Sequence, residues 1–540
     1  MKRRFSSLFA LAMAAMLLAG IAVGGQALAE SDLLAALPSP PATYDGILGE
    51  LGFGNGATLS FSGFEGWYSA VSMNDNLDLW KAIEEKTGVK IEWHCYADYD
   101  NTVNPMIAAG QQLPDIMMVT PTYSNAGVYE LGRDGIIIPL EDLINQYAPD
   151  IKKYLDENPD IKSIITAPDG VIYALPDISK GSNDIAFMNS LMIRQDWLDA
   201  LKLPVPVTLD DWHTVLTAFK ENDMAGNGTT IPFSGFFGDS SSALQVFYPA
   251  FGLPAGATDW WYDKDGKAFN IRTTPEFKEF LKVMSQWYAE GLIDMEKARD
   301  ESAYQAFIAT GVSGTVVHLS QYIDNYTNLV SSAVPGASYT LVDHPKGPDG
   351  TAQIVKRSAT SNCYGITRDC KDPVMAIKWI NFLFSDMGIT CNQWGIEGVT
   401  YEMVNGRPQY TDYVLHNPDG LSPVNALRKL GVANNVFSIT TAEASLARRT
   451  LGAEKPFIVR NMQNLVEPWP PIMLLKEEQD TVKMYNTDYA TYRDEMYGKF
   501  VRGEESLDNF DSYVKTMNDI GMGEILKVKQ LQLDRGKMGK

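Results

Sequence analysis

Ala57-Thr-Leu-Ser-Phe-Ser-Gly63, then Asn76 to Thr87 with Leu77, Leu79, Trp80 and Ile83, then Val89-Lys-Ile-Glu-Trp-His94, is the stretch on which the fold class turns. The first and third pieces alternate apolar and polar residues with period two, and the middle piece repeats its apolar residues every three to four. A strand, a helix and a second strand in direct succession make a parallel crossover, because a helix-length connection returns the chain to the same edge of the sheet. The next pieces extend the pattern. Val103, Met106 and Ile107 mark a helix that ends near Gly110, and Ile116-Met-Met-Val119 is the unbroken apolar run of a strand buried on both faces. The expectation is an α/β protein.

Working outward, Gly170-Val-Ile-Tyr-Ala-Leu-Pro176 reads as a short strand, and Arg194 to Phe219 as helix broken at Pro204 to Pro206. Thr208 followed by Asp211 has the form of a capping box. Gly347-Pro348-Asp349-Gly350 interrupts the pattern before a new strand, Ser361-Asn-Cys-Tyr-Gly-Ile-Thr367, and a helix from Pro373 to Phe384 that starts with proline in its first turn. At the other end, Lys2-Arg3-Arg4, an apolar run from Leu8 to Val23 and Ala27-Leu28-Ala29 form an export signal, so the mature chain begins near Glu30. Leu18-Ala19-Gly20 is followed by Ile21, where lipid attachment needs cysteine. Residues 30–56, rich in Gly, Pro and Ser, form an extended lead-in.

The 540 residues carry 45 Lys plus Arg against 67 Asp plus Glu, a formal charge of −22, and 45% of them are hydrophobic. That composition is globular and large enough for several domains or two large lobes. The charge opposes nucleic-acid phosphates and anionic membrane surfaces, and no Lys/Arg run exceeds Lys2-Arg3-Arg4. Cys95, Cys363, Cys370 and Cys391 lack zinc spacing and read as free buried thiols, with up to two disulfides as the alternative. The five histidines form no metal motif. Gly311-Val-Ser313-Gly314-Thr315 lacks the second glycine of a nucleophile elbow. Gly52-Phe-Gly54-Asn-Gly-Ala57 fits G-x-G-x-x-A but precedes the first strand, so it reads as a loop. The sequence offers no catalytic residues, no metal ligands and no cofactor, although paired carboxylates keep a glycoside hydrolase as the alternative.

Six segments, in order, resemble bacterial extracellular solute-binding proteins of the large sugar-binding, lipoprotein-like type that serve ABC importers. They are Gly110-Gln-Gln-Leu-Pro-Asp-Ile116, Asp134-Gly-Ile-Ile-Ile-Pro-Leu140, Ile193-Arg-Gln-Asp-Trp-Leu-Asp-Ala-Leu201, Leu209-Asp-Asp-Trp-His213, Trp287-Tyr-Ala-Glu-Gly-Leu-Ile-Asp294 and Gly395-Ile-Glu-Gly-Val-Thr-Tyr401. The resemblance implies a two-lobed periplasmic-binding-protein-like fold (type II), a ligand cleft between the lobes, and closure about a hinge. It also implies an extracytoplasmic monomer that takes a carbohydrate ligand to a membrane permease. Lobe one would hold 57–177 and 356–440, lobe two 178–355 and 441–540, with crossings near Asp177 and Ser358. Related proteins often carry a calcium loop where this chain has Asp223-Met-Ala-Gly-Asn-Gly228, but Ala225, Ile231 and Ser234 fall at ligand positions, so the segment reads as a structural turn.

With 11 Trp, 25 Tyr and 22 Phe, the chain has the ring faces on which sugars stack. Trp80, Trp197, Trp212, Trp287 and Trp379 lie at helical spacing and are expected in the core. Trp67 and Tyr123 follow strands, where ligands of open α/β sheets bind. Trp260, Trp261, Trp394 and Trp469 sit in loops beside Gly or Pro, and Tyr322 follows the strand Gly314-Thr-Val-Val-His-Leu319, where related proteins present an aromatic to sugar. Asp177 at the first crossing and Arg194 complete the ligand-binding candidates. A peptide-type or anion-type binding protein is the third reading.

Overall fold

The computed structural model describes residues 52–66, 71–120, 126–182, 190–235, 241–294, 301–419, 421–434, 436–449 and 454–538. The export signal and most of the lead-in lie outside them. Among the described residues no helix is long and apolar enough to cross a membrane.

Strands β1 (Ala57–Phe64) and β2 (Val89–Tyr96) pair in parallel with Ala57 opposite Val89, joined by the helix Asp78–Thr87. With β3 (Ile116–Met118), β4 (Leu175–Ile178) and a late strand they form a five-stranded sheet. A second sheet is centred on β5 (Ser190–Arg194). After β5 come a hairpin of β6 (Trp260–Tyr262) and β7 (Ala268–Asn270), then the partners of β5, β8 (Thr315–His318) and β9 (Tyr339–Val342), both antiparallel to it. The chain returns through β10 (Ile354–Val355) to β11 (Thr360–Ile366), which inserts antiparallel between β3 and β4 and completes the order β2-β1-β3-β11-β4. A hairpin of β12 (Tyr401–Val404) and β13 (Arg407–Tyr410) follows, and β14 (Leu465–Val466) pairs with β10.

Each sheet has its own apolar core, which makes the fold two-lobed. The first gathers Phe61, Trp80, Trp93, Trp379 and Phe437, with Trp80 and Trp93 ring centres 4.8 Å apart. The second gathers Trp197, Trp212, Phe247 and Trp287, where Phe247 meets Trp212 and Trp287 edge to face at 5.5 and 5.2 Å. Such tilted and edge contacts add to area burial because ring edges and faces carry opposite partial charge. The five tryptophans expected in the core are buried. The capping box at Thr208 and Asp211 forms in full, since a shorter Asp still reaches the cap's own N–H. The Gly52–Gly56 turn is stitched to the end of the first helix through Gly54 N to Thr87 O and Gly56 N to Gly88 O. Gly314 is needed for packing: a Cβ there would stand 2.6 Å from Phe219 and 2.7 Å from Trp197. Its neighbour Ser313 is buried, with its hydroxyl 2.8 Å from that of Ser234, so the elbow-like segment holds no exposed nucleophile. All four cysteines are buried thiols outside any disulfide, and burial pushes those of Cys95, Cys363 and Cys370 up to about 12.

Candidate functional site: facing strand ends and the segments that cross between lobes

The crossings set the site. One leaves β4 after Ile178 and enters β5 at Ser190, and another leaves β9 after Val342 and enters β11 at Thr360, so the neighbouring strands β4 and β11 of one sheet are joined to the neighbouring strands β5 and β9 of the other. The first and second crossings run side by side, with Ser179 N donating to Ala359 O and Ser179 Oγ to Ser358 O. A third crossing runs from the helix Ala442–Ala447, packed on lobe one through Ala444, to the helix Glu454–Asn461, which contacts β9 of lobe two and is tied to Asp343 through Asn461 Nδ2. Further along, Lys483 reaches Glu130 of lobe one at 2.7 Å.

On the lobe-one edge Asp177 accepts from Asn362 Nδ2 at 2.9 Å and from Ser438 N at 3.1 Å. Burial raises its carboxyl to about 8, against the lowering pull of those bonds. Asn362 is itself buried at a bulge of β11 with φ of 34°, a conformation asparagine tolerates better than most residues. Its Oδ1, Thr360 Oγ1 and, across the junction, Ser190 Oγ are buried without a hydrogen-bond partner. Most buried polar atoms are satisfied, so three at one junction are informative. On the lobe-two edge, His318 and Tyr322 meet with ring centres 4.2 Å apart, and Ser320 Oγ donates to Glu454 at 2.6 Å.

The nine candidates divide clearly. Trp67 and Tyr123 lie outside the described residues. Asp177 and Tyr322 stand at the facing strand ends, both half-buried. Trp261, expected in a loop, lies on strand β6, is half-buried and stacks on Tyr262 at 5.4 Å, and Tyr262 meets Trp469 at 5.9 Å, so the three rings form one cluster. Trp469 Nε1 donates to Gln532. Three candidates turn inward. Trp260 alternates with Trp261 along β6 and packs in the lobe-two core against Tyr489. Trp394 is the last residue of the helix Asp386–Trp394, not a loop residue, and lies buried 4.6 Å from Tyr410. Arg194 is 1% exposed, with both Asp196 oxygens, Gly311 O and the Trp197 ring as partners, so it anchors the start of the helix Gln195–Leu201.

The sequence reading missed a group of arginines. Arg357 follows β10, and Arg448 and Arg449 end the helix Ala442–Ala447 at the third crossing. Arg449 is buried, donates to Ser445 O and is paired with Glu454. The adjacent Arg448-Arg449 pair was the one available signal, and it is too short to stand out in an acidic chain. The Asp223 carboxylate accepts from Gly228 N at 2.7 Å and from Thr230 Oγ1 at 2.9 Å, which closes that loop on itself. A separate cavity of about 310 Å³ lies against β1 and β2, lined by Ser60, Ser62, His94 and Tyr96.

Comparison with known proteins gives a consistent picture. The family model for bacterial extracellular solute-binding proteins matches residues 72–389. The fructooligosaccharide ABC transporter substrate-binding protein FusA of Streptococcus pneumoniae serotype 4 is 28% identical over 507 residues, 89% of this chain and 91% of that protein. The structure of S. pneumoniae FusA in complex with kestose superposes with a TM-score of 0.74 at 25% identity, covering 89% of this chain and all of that one. The alginate-binding protein AlgQ2, solved without calcium ion, superposes with a TM-score of 0.73 at 25% identity, covering 89% of this chain and 98% of that one.

Proposed function

This chain belongs to the bacterial extracellular solute-binding protein family, and from that premise we propose that it captures an oligosaccharide between its lobes, outside the cytoplasmic membrane, and hands it to the permease of an ABC importer. The observation that carries this reading is the match to a fructooligosaccharide-binding protein over nearly the full length of both chains. The site agrees with it in chemistry. Trp261, Tyr262 and Trp469 offer ring faces, and Asp177, Asn362, Thr360 and Ser190 offer polar atoms at the facing strand ends. Sugars need both, since apolar C–H faces stack on rings while hydroxyls demand directional hydrogen bonds. A ligand that touches both lobes selects the closed arrangement by its larger contact there, which is the signal a permease can read.

The protein acts as a monomer and without chemistry on its ligand. Calorimetry against a panel of neutral and acidic oligosaccharides, with an assay for new reducing ends in the same tubes, tests this. Saturable binding with no new reducing ends is the expected result. Shortened products would instead make the protein a glycoside hydrolase.

A further inference from the structure

We propose that Arg357, Arg448 and Arg449 form a cationic subsite at the junction of the lobes that takes an oxyanion carried by the glycan, either a uronate carboxylate or a sulfate ester. The inference rests on the oligosaccharide-capture reading and names the ligand class of that same site.

Arg449 is close enough to Arg357 and to Arg448 for its charge to act on both. One carboxylate, Glu454, pairs with Arg449 and also accepts from Ser320 Oγ. Arg448 donates to the Tyr410 hydroxyl, which donates onward to Gln393 O. Arg448 Nη1 is buried without a partner. A desolvated guanidinium N–H without an acceptor is costly, and a fork of such donors matches the geometry of a carboxylate or sulfate. Arg357 is open to solvent, yet enough protein surrounds it to hold its guanidinium below the usual arginine range, as on the wall of a cleft. Burial does the same to Arg448, with Arg449 adding to it. Glu443, in the first turn of the helix that ends at Arg448, faces Arg407. In a chain of charge −22 this convergence of guanidiniums stands against the general field.

The test is calorimetry on the mature protein with four probes: trigalacturonate, its methyl ester, a sulfated galacto-oligosaccharide and a neutral fructo-oligosaccharide. Arg448→Gln and Arg357→Gln are run in parallel, with a thermal melt on each. The expected result is that trigalacturonate or the sulfated sugar binds at least tenfold more tightly than its uncharged counterpart, and that either variant lowers the ratio of anionic to neutral affinity tenfold or more. Whichever anionic probe binds identifies the oxyanion. If Arg448→Gln fails to fold, Arg357→Gln, at a solvent-accessible position, decides. A neutral sugar that binds as tightly as the charged ones, with that ratio unmoved in the variants, overturns the subsite and leaves oligosaccharide capture standing. Failure of every probe to bind overturns both.

Discussion

Two buried charge clusters in this molecule differ in one respect that separates scaffold from site. Inside lobe two, Asp259 accepts from Arg272 Nε at 2.9 Å, from Tyr489 at 3.0 Å and from Arg493, and Arg493 has Asp494 as a second partner. Tyr489 in turn accepts from Asn270. Burial works to raise the Asp259 carboxyl, but the two guanidiniums overcome it and hold it below the usual range. The network joins the β6–β7 hairpin to the long helix Lys476–Arg502 and balances two cations with two anions. At the junction of the lobes, Arg449 is paired with Glu454, and its charge acts on Arg357 and Arg448. Burial is common to both clusters. Internal balance belongs to the first, and the second is completed from outside.

The comparison is broken most directly at Asp259. Removing one member of a buried, hydrogen-bonded ion group leaves the rest uncompensated, so Asp259→Ala should cost about 3–5 kcal/mol of stability in a denaturant melt. A loss under about 1 kcal/mol would show that the network pins nothing. Arg448→Gln should differ in sign, holding or raising the melting temperature because it removes a poorly compensated buried charge.

The aromatics sharpen the same contrast. Trp197, 3% exposed and packed edge to face on Phe219, should cost about 3–5 kcal/mol of stability when cut to Ala. Trp261→Ala should weaken oligosaccharide binding by about 1–3 kcal/mol and leave the melt nearly unmoved. If Trp261→Ala lowers the melt and spares binding, the Trp261, Tyr262 and Trp469 cluster is scaffold.

Asp177 predicts a pH signature. Its carboxyl titrates near 8 in the fold and near 3.8 in the unfolded chain, so the folded state holds a proton that the unfolded state has lost between those values. Its contribution is therefore full below about pH 4, declines as pH rises and is gone above about pH 8. Melting temperatures of wild type relative to Asp177→Asn should fall steadily across that window, and a flat difference would contradict the assignment. The smallest effect is expected from chelation. With the Asp223 carboxylate already engaged by Gly228 and Thr230, EDTA should move the melt by less than about 1 °C, and a large drop would reveal a bound cation.

Local pattern carried much of the architecture. The parallel β1–β2 start, the helix after Pro373 and the cap at Thr208 are each decided by residues close in sequence, so periodicity and capping chemistry suffice. The strand expected at Gly170 to Pro176 instead runs Leu175–Ile178, because its partner β11 arrives from far along the chain and only its register selects the paired residues. The site was less legible for the same reason. Trp260 and Trp261 are told apart only by which face of β6 the core takes. The arginine group is assembled from separate crossings, and no run of residues announces it.

The central claim is that one ligand is held by both lobes, and hydrogen exchange on the mature protein with and without the tightest oligosaccharide from the panel tests it most directly. The account predicts added protection on both sides at once, in Asp177 to Ser182 and Ser358 to Asn362 on one and in His318 to Tyr322 and Glu454 to Asn461 on the other. Protection confined to a single lobe at saturating sugar would contradict it.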